Sequence, residues 1–452
     1  MKREALSHPV AILGVLITTA SAVLFISLII AILAGLLRNP YVGLVVFVAI
    51  PAAFVTGLIL IPIGVHLRRR ALLRDPNASV DWPILDFRRA SVRRTTLLIT
   101  ALTAVNIVIV LLAGYGSLHW MESPMFCGQV CHTPMEPQFM AWGNATHSRV
   151  ACASCHIGEG ASGFVYAKLS GVRQLWHVAS NSVPTPIPPG AEMPPGAQAE
   201  QCGTCHRPGG TATDILRVMR EYADDETNTE SATILQMHLG GRSSSTRSIH
   251  WHADPAVRIE YVATDAERQT IPYVKVTAAD GTVKEFVAPD TPDDVVRNGE
   301  RRTMDCMDCH NTIGHPISPT PEHAMDRAIT AGQVSRDLPF VRREGVRLLK
   351  ESYPDSEAAG RAIDQGLRSF YKSEGRSADQ ESVARAIAAI QGVYRRNVFP
   401  AMKVTFGAYP NNTGHITSNG CFRCHDDSHQ TKDMQTISGD CEYCHKQLES
   451  LP

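Results

Sequence analysis

Cysteine and histidine form six compact clusters along the chain. All 12 cysteines fall in pairs, and a histidine directly follows the second cysteine of each pair. A c-type haem requires this set, because two thioether bonds hold the porphyrin edge while the next residue reaches the iron. A disulfide framework or a zinc ribbon gives no reason for the histidine. We therefore expect six covalent haem c groups, bound through Cys127, Cys131, Cys152, Cys155, Cys202, Cys205, Cys306, Cys309, Cys421, Cys424, Cys441 and Cys444, with His132, His156, His206, His310, His425 and His445 on the irons.

The first motif differs from the others in its spacing. Three residues separate Cys127 from Cys131, whereas two residues separate the cysteines of every other pair. A bulged backbone would still bring both thiols to the porphyrin, and incomplete or absent attachment at this motif is the alternative. Met135 follows His132 by three residues, and a thioether ligand there would raise the potential of the first haem. Whether His132 or Met135 binds that iron is left open.

The chain also supplies enough histidines for a second axial ligand on each iron. Ten histidines lie outside the motifs from His119 onward, so no haem is forced to be five-coordinate. This supply favours electron transfer over catalysis at iron. Histidines close to a motif or beside a tryptophan are the expected distal ligands, namely His147, His177, His250, His252, His315, His415 and His429; His238 and His323 are left open.

Three long apolar stretches precede the motifs. Val10–Leu37, Tyr41–Leu67 and Thr95–Met121 contain no Asp, Glu, Lys or Arg, and each exceeds the ~20 residues that cross a bilayer as a helix. The connection Arg68–Arg94 contains eight arginines, and arginine-rich short loops stay in the cytoplasm. The sequence thus predicts a multi-pass protein of the bacterial inner membrane, with a cytoplasmic N-terminus and all haems on the periplasmic face.

The fold class expected from these patterns is an α-helical membrane anchor of three transmembrane helices plus a loop-rich, mostly α multihaem cytochrome c domain with a small β-hairpin insertion. We expect the anchor over residues 1–121 and haems 1–3 over 122–210. An insertion with a hairpin around Asp280-Gly281 covers 211–300. Haems 4–6 lie in 301–452, interrupted by a helical insertion over 321–402 in which Ser377 is a candidate N-cap.

Charge is distributed unevenly between the anchor and the remainder. Residues 1–118 contain 11 Lys and Arg against 4 acidic residues, and the remaining 334 residues contain 32 basic and 40 acidic ones. A nucleic-acid-binding protein would concentrate positive charge on its folded domain, so this class is excluded. The acidic remainder, at -8, predicts that a soluble partner presents a basic patch.

The segment from Cys127-Gly-Gln-Val-Cys131-His132-Thr-Pro-Met135 through Lys168-Leu-Ser-Gly-Val-Arg-Gln174-Leu-Trp-His177 resembles the NapC/NirT/NrfH family of membrane-anchored quinol dehydrogenases. The resemblance implies that menaquinol is oxidised at the haem nearest the bilayer. It also implies that Met135 binds the first iron, that Lys168 contacts the quinol and that His177 is a distal ligand. Three spans and six motifs resemble more closely the ImcH-type inner-membrane cytochromes of metal-reducing bacteria.

One position departs from the family pattern. Gln174 stands where the family commonly has an acid, and an amide cannot accept a quinol proton. Glu122, Glu136, His119 or a water molecule would then serve as the base.

The leading hypothesis is a menaquinol-oxidising conduit to periplasmic cytochromes or other membrane respiratory subunits. The alternatives are a wiring subunit of a larger respiratory complex that binds no quinol and, less favoured, a terminal oxyanion reductase.

Overall fold

The structure is a computed structural model that describes residues 8–34, 36, 42, 45–74, 87–157, 160–189, 197–206, 214–240, 248–373 and 379–451. The chain divides into two compact units, Met1–His132 and Thr133–Pro452. Each unit is described by itself below.

The first unit contains the three predicted membrane helices. They are α1 (Pro9–Leu33), α2 (Ile50–Leu73), which a π-helical segment (Val45–Ala49) precedes, and α3 (Ala90–Met121). His8 caps α1, because its Nδ1 accepts a hydrogen bond of 3.2 Å from the amide of Val10. All three are long and apolar enough to cross a bilayer, and the prediction of a three-helix anchor is confirmed.

Helices α1 and α2 pack through small residues. A Cβ atom added to Gly14 would lie 2.7 Å from the carbonyl oxygen of Gly57, and one added to Gly64 would collide with the backbone of Ala11. The Thr18 hydroxyl, next to Gly57, donates to the carbonyl oxygen of Gly14 at 2.8 Å. Between helices in lipid, close backbone contact replaces the hydrophobic effect as the source of affinity, which explains the glycines.

The second unit begins with short helices around the haem motifs. They are α4 (His132–Gly143), whose first residue is the last of the anchor unit, α5 (Ala153–His156), α6 (Gly160–Ala179), α7 (Ala197–Cys205), α8 (Asp293–Asn298) and α9 (Cys306–Cys309). Short 3-10 turns cover Ile249–Ala253, Gly420–Arg423 and Cys441–Tyr443.

The second unit also contains two antiparallel sheets. The first has the order β1 (Ile215–Tyr222), β2 (Glu230–Met237), β7 (His445–Leu451), and the second has the order β5 (Val283–Val287), β4 (Tyr273–Thr277), β3 (Arg258–Val262), β6 (Arg301–Thr303). Strands β4 and β5 form the predicted hairpin, with Gly281 at φ +84° in its turn. The sheet β1-β2-β7 was not predicted, and it joins the insertion to the strand that begins at His445.

The helical insertion forms a core of its own. It consists of α10 (Pro321–Thr330), α11 (Val341–Lys350), α12 (Ser356–Ser373) and α13 (Gln380–Asn397), whose apolar faces bury Met325, Ile363, Leu367 and Ile390. The predicted cap Ser377 lies outside the described residues, and Asp379 caps α13 by accepting a 2.9 Å bond from the amide of Ser382.

A buried asparagine connects this core to the turn between β1 and β2. The Asn228 amide donates to the carbonyl oxygens of Arg336 at 2.8 Å and Leu338 at 2.9 Å, and its Oδ1 accepts from the amide of Arg342 at 3.0 Å. Asn228 is fully buried and has a positive φ, which asparagine tolerates better than most residues.

Candidate haem-binding site

Four of the six motifs share one local hydrogen bond. The histidine amide donates to the carbonyl oxygen of the first cysteine, at 3.0 Å in the motifs that end in His156 and His425 and at 2.8 Å in those that end in His206 and His310. This bond closes one helical turn. The turn holds both thiols and the imidazole within a single short segment, as covalent attachment and iron ligation require.

The first motif accommodates its extra residue in a wider turn. Phe126–Val130 forms a π-helical segment, and such a turn commonly marks the insertion of one residue into a helix. The bulged backbone expected from the spacing is therefore present. Met135 lies one turn into α4 and is half-buried.

Thiols of successive motifs lie next to one another in the second unit. Cys202 of the third motif is hydrogen-bonded to Cys306 of the fourth, and Cys421 of the fifth to Cys444 of the sixth.

Two further thiols, Cys155 and Cys309, also have a cysteine of the next motif as a neighbour. Burial first, and then its neighbours Cys152 and Cys205, raise the pKa of Cys155. Burial and then Cys421 raise the pKa of Cys309 to about 11. Thioethers do not titrate, so what matters for attached haems is the proximity. Motifs two to six form a continuous series in chain order.

Four motif histidines face a second histidine at nearly constant separation. The ring centroids are 6.0 Å apart for His156 and His315 and 6.0 Å for His206 and His147; the separations are 5.7 Å for His425 with His252 and 6.1 Å for His445 with His415. An iron at about 2 Å from one nitrogen of each ring puts the centroids roughly 6 Å apart. These residues therefore fit haem irons with two histidine ligands.

The fourth motif has a weaker indication of the same arrangement. Burial and then the neighbouring His250 and His206 lower the pKa of His310. Since His206 already faces His147, His250 is the candidate partner of His310.

Backbone carbonyls orient several of these rings. The Nδ1 atoms lie within hydrogen-bond distance of carbonyl oxygens, at 3.0 Å between His315 and Gln138, 2.8 Å between His252 and Ile249, and 2.8 Å between His425 and Ser438. An Nδ1–H that donates to a carbonyl fixes the tautomer and leaves Nε2 available for a metal.

Three of the predicted distal histidines face the histidine of a motif other than their neighbour in sequence. His147 precedes Cys152 but faces His206, and His315 follows His310 but faces His156. His415 likewise precedes Cys421 and faces His445.

His429 contacts protein through both of its ring nitrogens. Its Nδ1 is 2.8 Å from Asp426 Oδ1, its Nε2 is 2.6 Å from the carbonyl oxygen of Ile271, and the residue is only 2% exposed. Both ring nitrogens are thus engaged with protein in this structure, and the ligand role of His429 stays a prediction.

Two other histidines bind polar neighbours. His177 Nδ1 lies 2.8 Å from the Ser182 hydroxyl, and His238 Nδ1 lies 2.8 Å from Asp214 Oδ2. Each of these contacts uses one ring nitrogen. A ligand role for His177 therefore stays a prediction, and whether His238 is a ligand stays open.

Sequence reasoning missed a buried charged cluster that links the fourth and fifth motifs. Asp308, inside the fourth motif, accepts from Arg268 at 2.7 Å and from the Tyr261 hydroxyl. Arg423, inside the fifth motif, donates to the carbonyl oxygens of Gly420 at 2.8 Å, Arg268 at 3.0 Å and Asp308 at 2.6 Å. The sequence did offer a signal for this cluster, because Asp308 and Arg423 place opposite charges between the cysteines of successive motifs.

The predicted quinol-site residues are divided between the two units. His119 stacks on Tyr115 in the last turns of α3 at 6.1 Å, and Glu122 is the C-cap residue of that helix. Lys168 and Gln174 both lie on α6, six positions and hence about 120° apart around its axis. A quinol site formed by these four residues stays a prediction.

The chain is similar in sequence to known cytochromes. Residues 89–187 match the model of the NapC/NirT cytochrome c family, N-terminal region. The cytochrome c-type protein ImcH of Geobacter sulfurreducens is 35% identical over 457 residues, which cover 98% of this chain and 89% of that protein. The chain belongs to the NapC/NirT cytochrome c family. This NapC/NirT cytochrome is thus a membrane-anchored multihaem electron-transfer protein with covalent haem c, and the ImcH-type resemblance is confirmed. No solved structure matches the chain.

Proposed function

We propose that this cytochrome oxidises menaquinol at its membrane anchor and conducts the electrons through six haems to an acceptor on the periplasmic face. Haem c supplies reversible one-electron chemistry at each iron. The protein supplies the attachment, the axial ligands, the order of the haems and the site at which quinol enters.

The facing histidine pairs are the observation that carries the proposal. They would supply two protein ligands to the irons at the second, third, fifth and sixth motifs, which suits electron transfer rather than binding of a substrate at the iron. The proximity of thiols in successive motifs from two to six supports transfer of electrons in the order of the chain.

Entry of electrons at the membrane rests on the family and on the anchor. We assign Lys168 to a hydrogen bond with a quinone oxygen, where its ammonium group favours the charge that develops as quinol loses a proton. The proton acceptor is Glu122, Glu136, His119 or water, because Gln174 cannot take a proton. The eight arginines between the second and third spans support the periplasmic position of the haems.

Substitution of Lys168 tests the entry site. Lys168→Ala should keep the haems attached and low-spin while it slows menaquinol-driven reduction at least tenfold, or about 1.4 kcal/mol. Gln174→Ala should have a smaller effect, and Lys372→Ala, which removes an exposed cation from the end of α12, should have none. Stopped-flow spectroscopy of the full chain in lipid nanodiscs measures these rates.

The same experiment separates the alternatives. Unchanged kinetics in Lys168→Ala would place the quinol site elsewhere. If menaquinol fails to reduce the parent protein, the chain is a wiring subunit that receives electrons from a neighbouring protein. A high-spin haem in the electronic spectrum of the parent protein would favour the reductase alternative.

A further inference from the structure

A cavity of about 450 Å³ lies between the three spans of the anchor. Helix α1 contributes Ser21 and Phe25 to its wall, α2 contributes Phe54, and α3 contributes Ala113 and Gly114. This volume is in the range of small-molecule sites and far above that of ordinary packing defects.

The wall suits a hydrocarbon chain and not a polar head group. Twelve residues line the cavity, and Ser21 is the one with a polar side chain. None of the twelve is ionisable, so the wall offers no group that could accept or donate a proton during quinol oxidation.

Small residues on α3 keep this space open. A Cβ atom added to Gly114 would meet no atom within 4 Å, whereas one added to Gly14 or Gly57, on the α1–α2 seam, would collide. Gly14 and Gly57 permit close contact between α1 and α2. A larger residue at position 114 would not prevent any such contact. Gly114 is exposed at the open side of the cavity, so a larger side chain there can enter the space without displacing a neighbour.

The cavity and the first haem motif belong to the same unit, and α3 lines the cavity and leads to the motif. Gly114 is seven residues before the end of α3 at Met121, or about 10 Å along the axis. Between them, Trp120 stacks on Phe47 at 5.7 Å and meets Phe126 edge-on at 4.8 Å. Phe126 immediately precedes Cys127, so this aromatic cluster connects the last turn of α3 to the motif.

We propose that this cavity binds the isoprenoid chain of menaquinol while the quinol ring lies beside the first haem. The inference rests on the proposed function and adds a determinant of substrate choice to it. A ring oxidised next to Cys127 must direct its chain toward the bilayer, and the cavity offers an apolar space of about 450 Å³ between the spans. The chain length of the quinol then contributes to affinity.

Filling the cavity tests the proposal. Gly114→Leu should raise the KM for long-chain menaquinol at least tenfold and leave the reduction rate with a chainless naphthoquinol unchanged. Leu111→Phe, at a position of α3 that is 65% exposed, is the matched control and should change neither. If Gly114→Leu does not assemble, Ala22→Leu fills the same space from α1.

The outcomes distinguish this inference from the proposed function. Reduction of the parent by both quinols, with Gly114→Leu affecting both equally or neither, would overturn the cavity inference alone. Failure of both quinols to reduce the parent would overturn the proposed function, and the inference with it.

A binding measurement needs no turnover. Mass spectrometry should find long-chain menaquinone retained by the purified parent and by Leu111→Phe, and lost from Gly114→Leu. Phospholipid alone in the parent would show that an acyl chain occupies the space and would refute the proposal.

Discussion

Electron paramagnetic resonance of ligand variants would test the histidine pairs individually. The ring planes of His252 and His425 are inclined by 76°, whereas those of His415 and His445 are inclined by 22°. Crossed imidazole planes leave two iron d orbitals nearly equal in energy and give a strongly anisotropic low-spin signal. Nearly parallel planes separate these orbitals and give a rhombic signal.

Each substitution should therefore remove a different signal. His252→Ala should eliminate a strongly anisotropic component, and His415→Ala should eliminate a rhombic one. Because each histidine faces one motif histidine, each loss should amount to about one sixth of the total haem spin and be replaced by a high-spin signal. His429→Ala, at a ring bonded only to protein, should leave the low-spin signals unchanged.

The assay uses the oxidised full chain, with covalent haem content measured in parallel so that lost attachment is not mistaken for lost ligation. Loss of the rhombic component in His252→Ala, or an unaltered spectrum in both variants, would refute the assignment of the pairs.

Three further predictions concern stability, stoichiometry and partner binding. Arg423→Met should lower the free energy of unfolding by about 3 to 5 kcal/mol, because three carbonyl oxygens lose a buried donor. The control Arg385→Met, on the surface of α13, should change the free energy of unfolding by less than about 0.5 kcal/mol. Denaturant titrations followed by circular dichroism compare the two variants. The denatured protein should have a mass that corresponds to six haems; five with Cys127 and Cys131 free would exclude attachment at the first motif, and four or fewer would contradict the architecture. The rate of electron transfer to a soluble acceptor should fall with ionic strength because the part of the chain after the anchor is acidic, and salt-independent kinetics would indicate a permanent subunit interface.

Composition and spacing were sufficient to predict the features that depend on short segments. Uninterrupted apolar runs predicted the three spans, and Asp280-Gly281 predicted the hairpin that β4 and β5 form. In each case, the residues that determine the structure are adjacent in the chain.

The pairing of histidines could not be predicted because it depends on contacts between distant segments. Proximity to a motif favoured His429 as a ligand, but its ring is bonded to Asp426 and Ile271. A residue near an attachment site starts at the edge of its own porphyrin and must pass around it to reach the opposite face. His147 and His315 instead face the histidine of another motif.

The sheet β1-β2-β7 was missed for a related reason. Strand β1 is largely exposed and lacks an alternating apolar face, so its sequence gives a weak strand signal. Its only partner in the sheet, β2, also pairs with β7, the last strand of the described residues, and this long-range pairing has no local signature.

The most direct test of the central claim is anaerobic mixing of menaquinol with the oxidised full chain in lipid nanodiscs, followed through the α-band of reduced haem c. The account predicts that menaquinol reduces the protein without any other subunit, and that Lys168→Ala slows this reduction at least tenfold while dithionite still reduces every haem. A parent protein that dithionite reduces but menaquinol does not would contradict it.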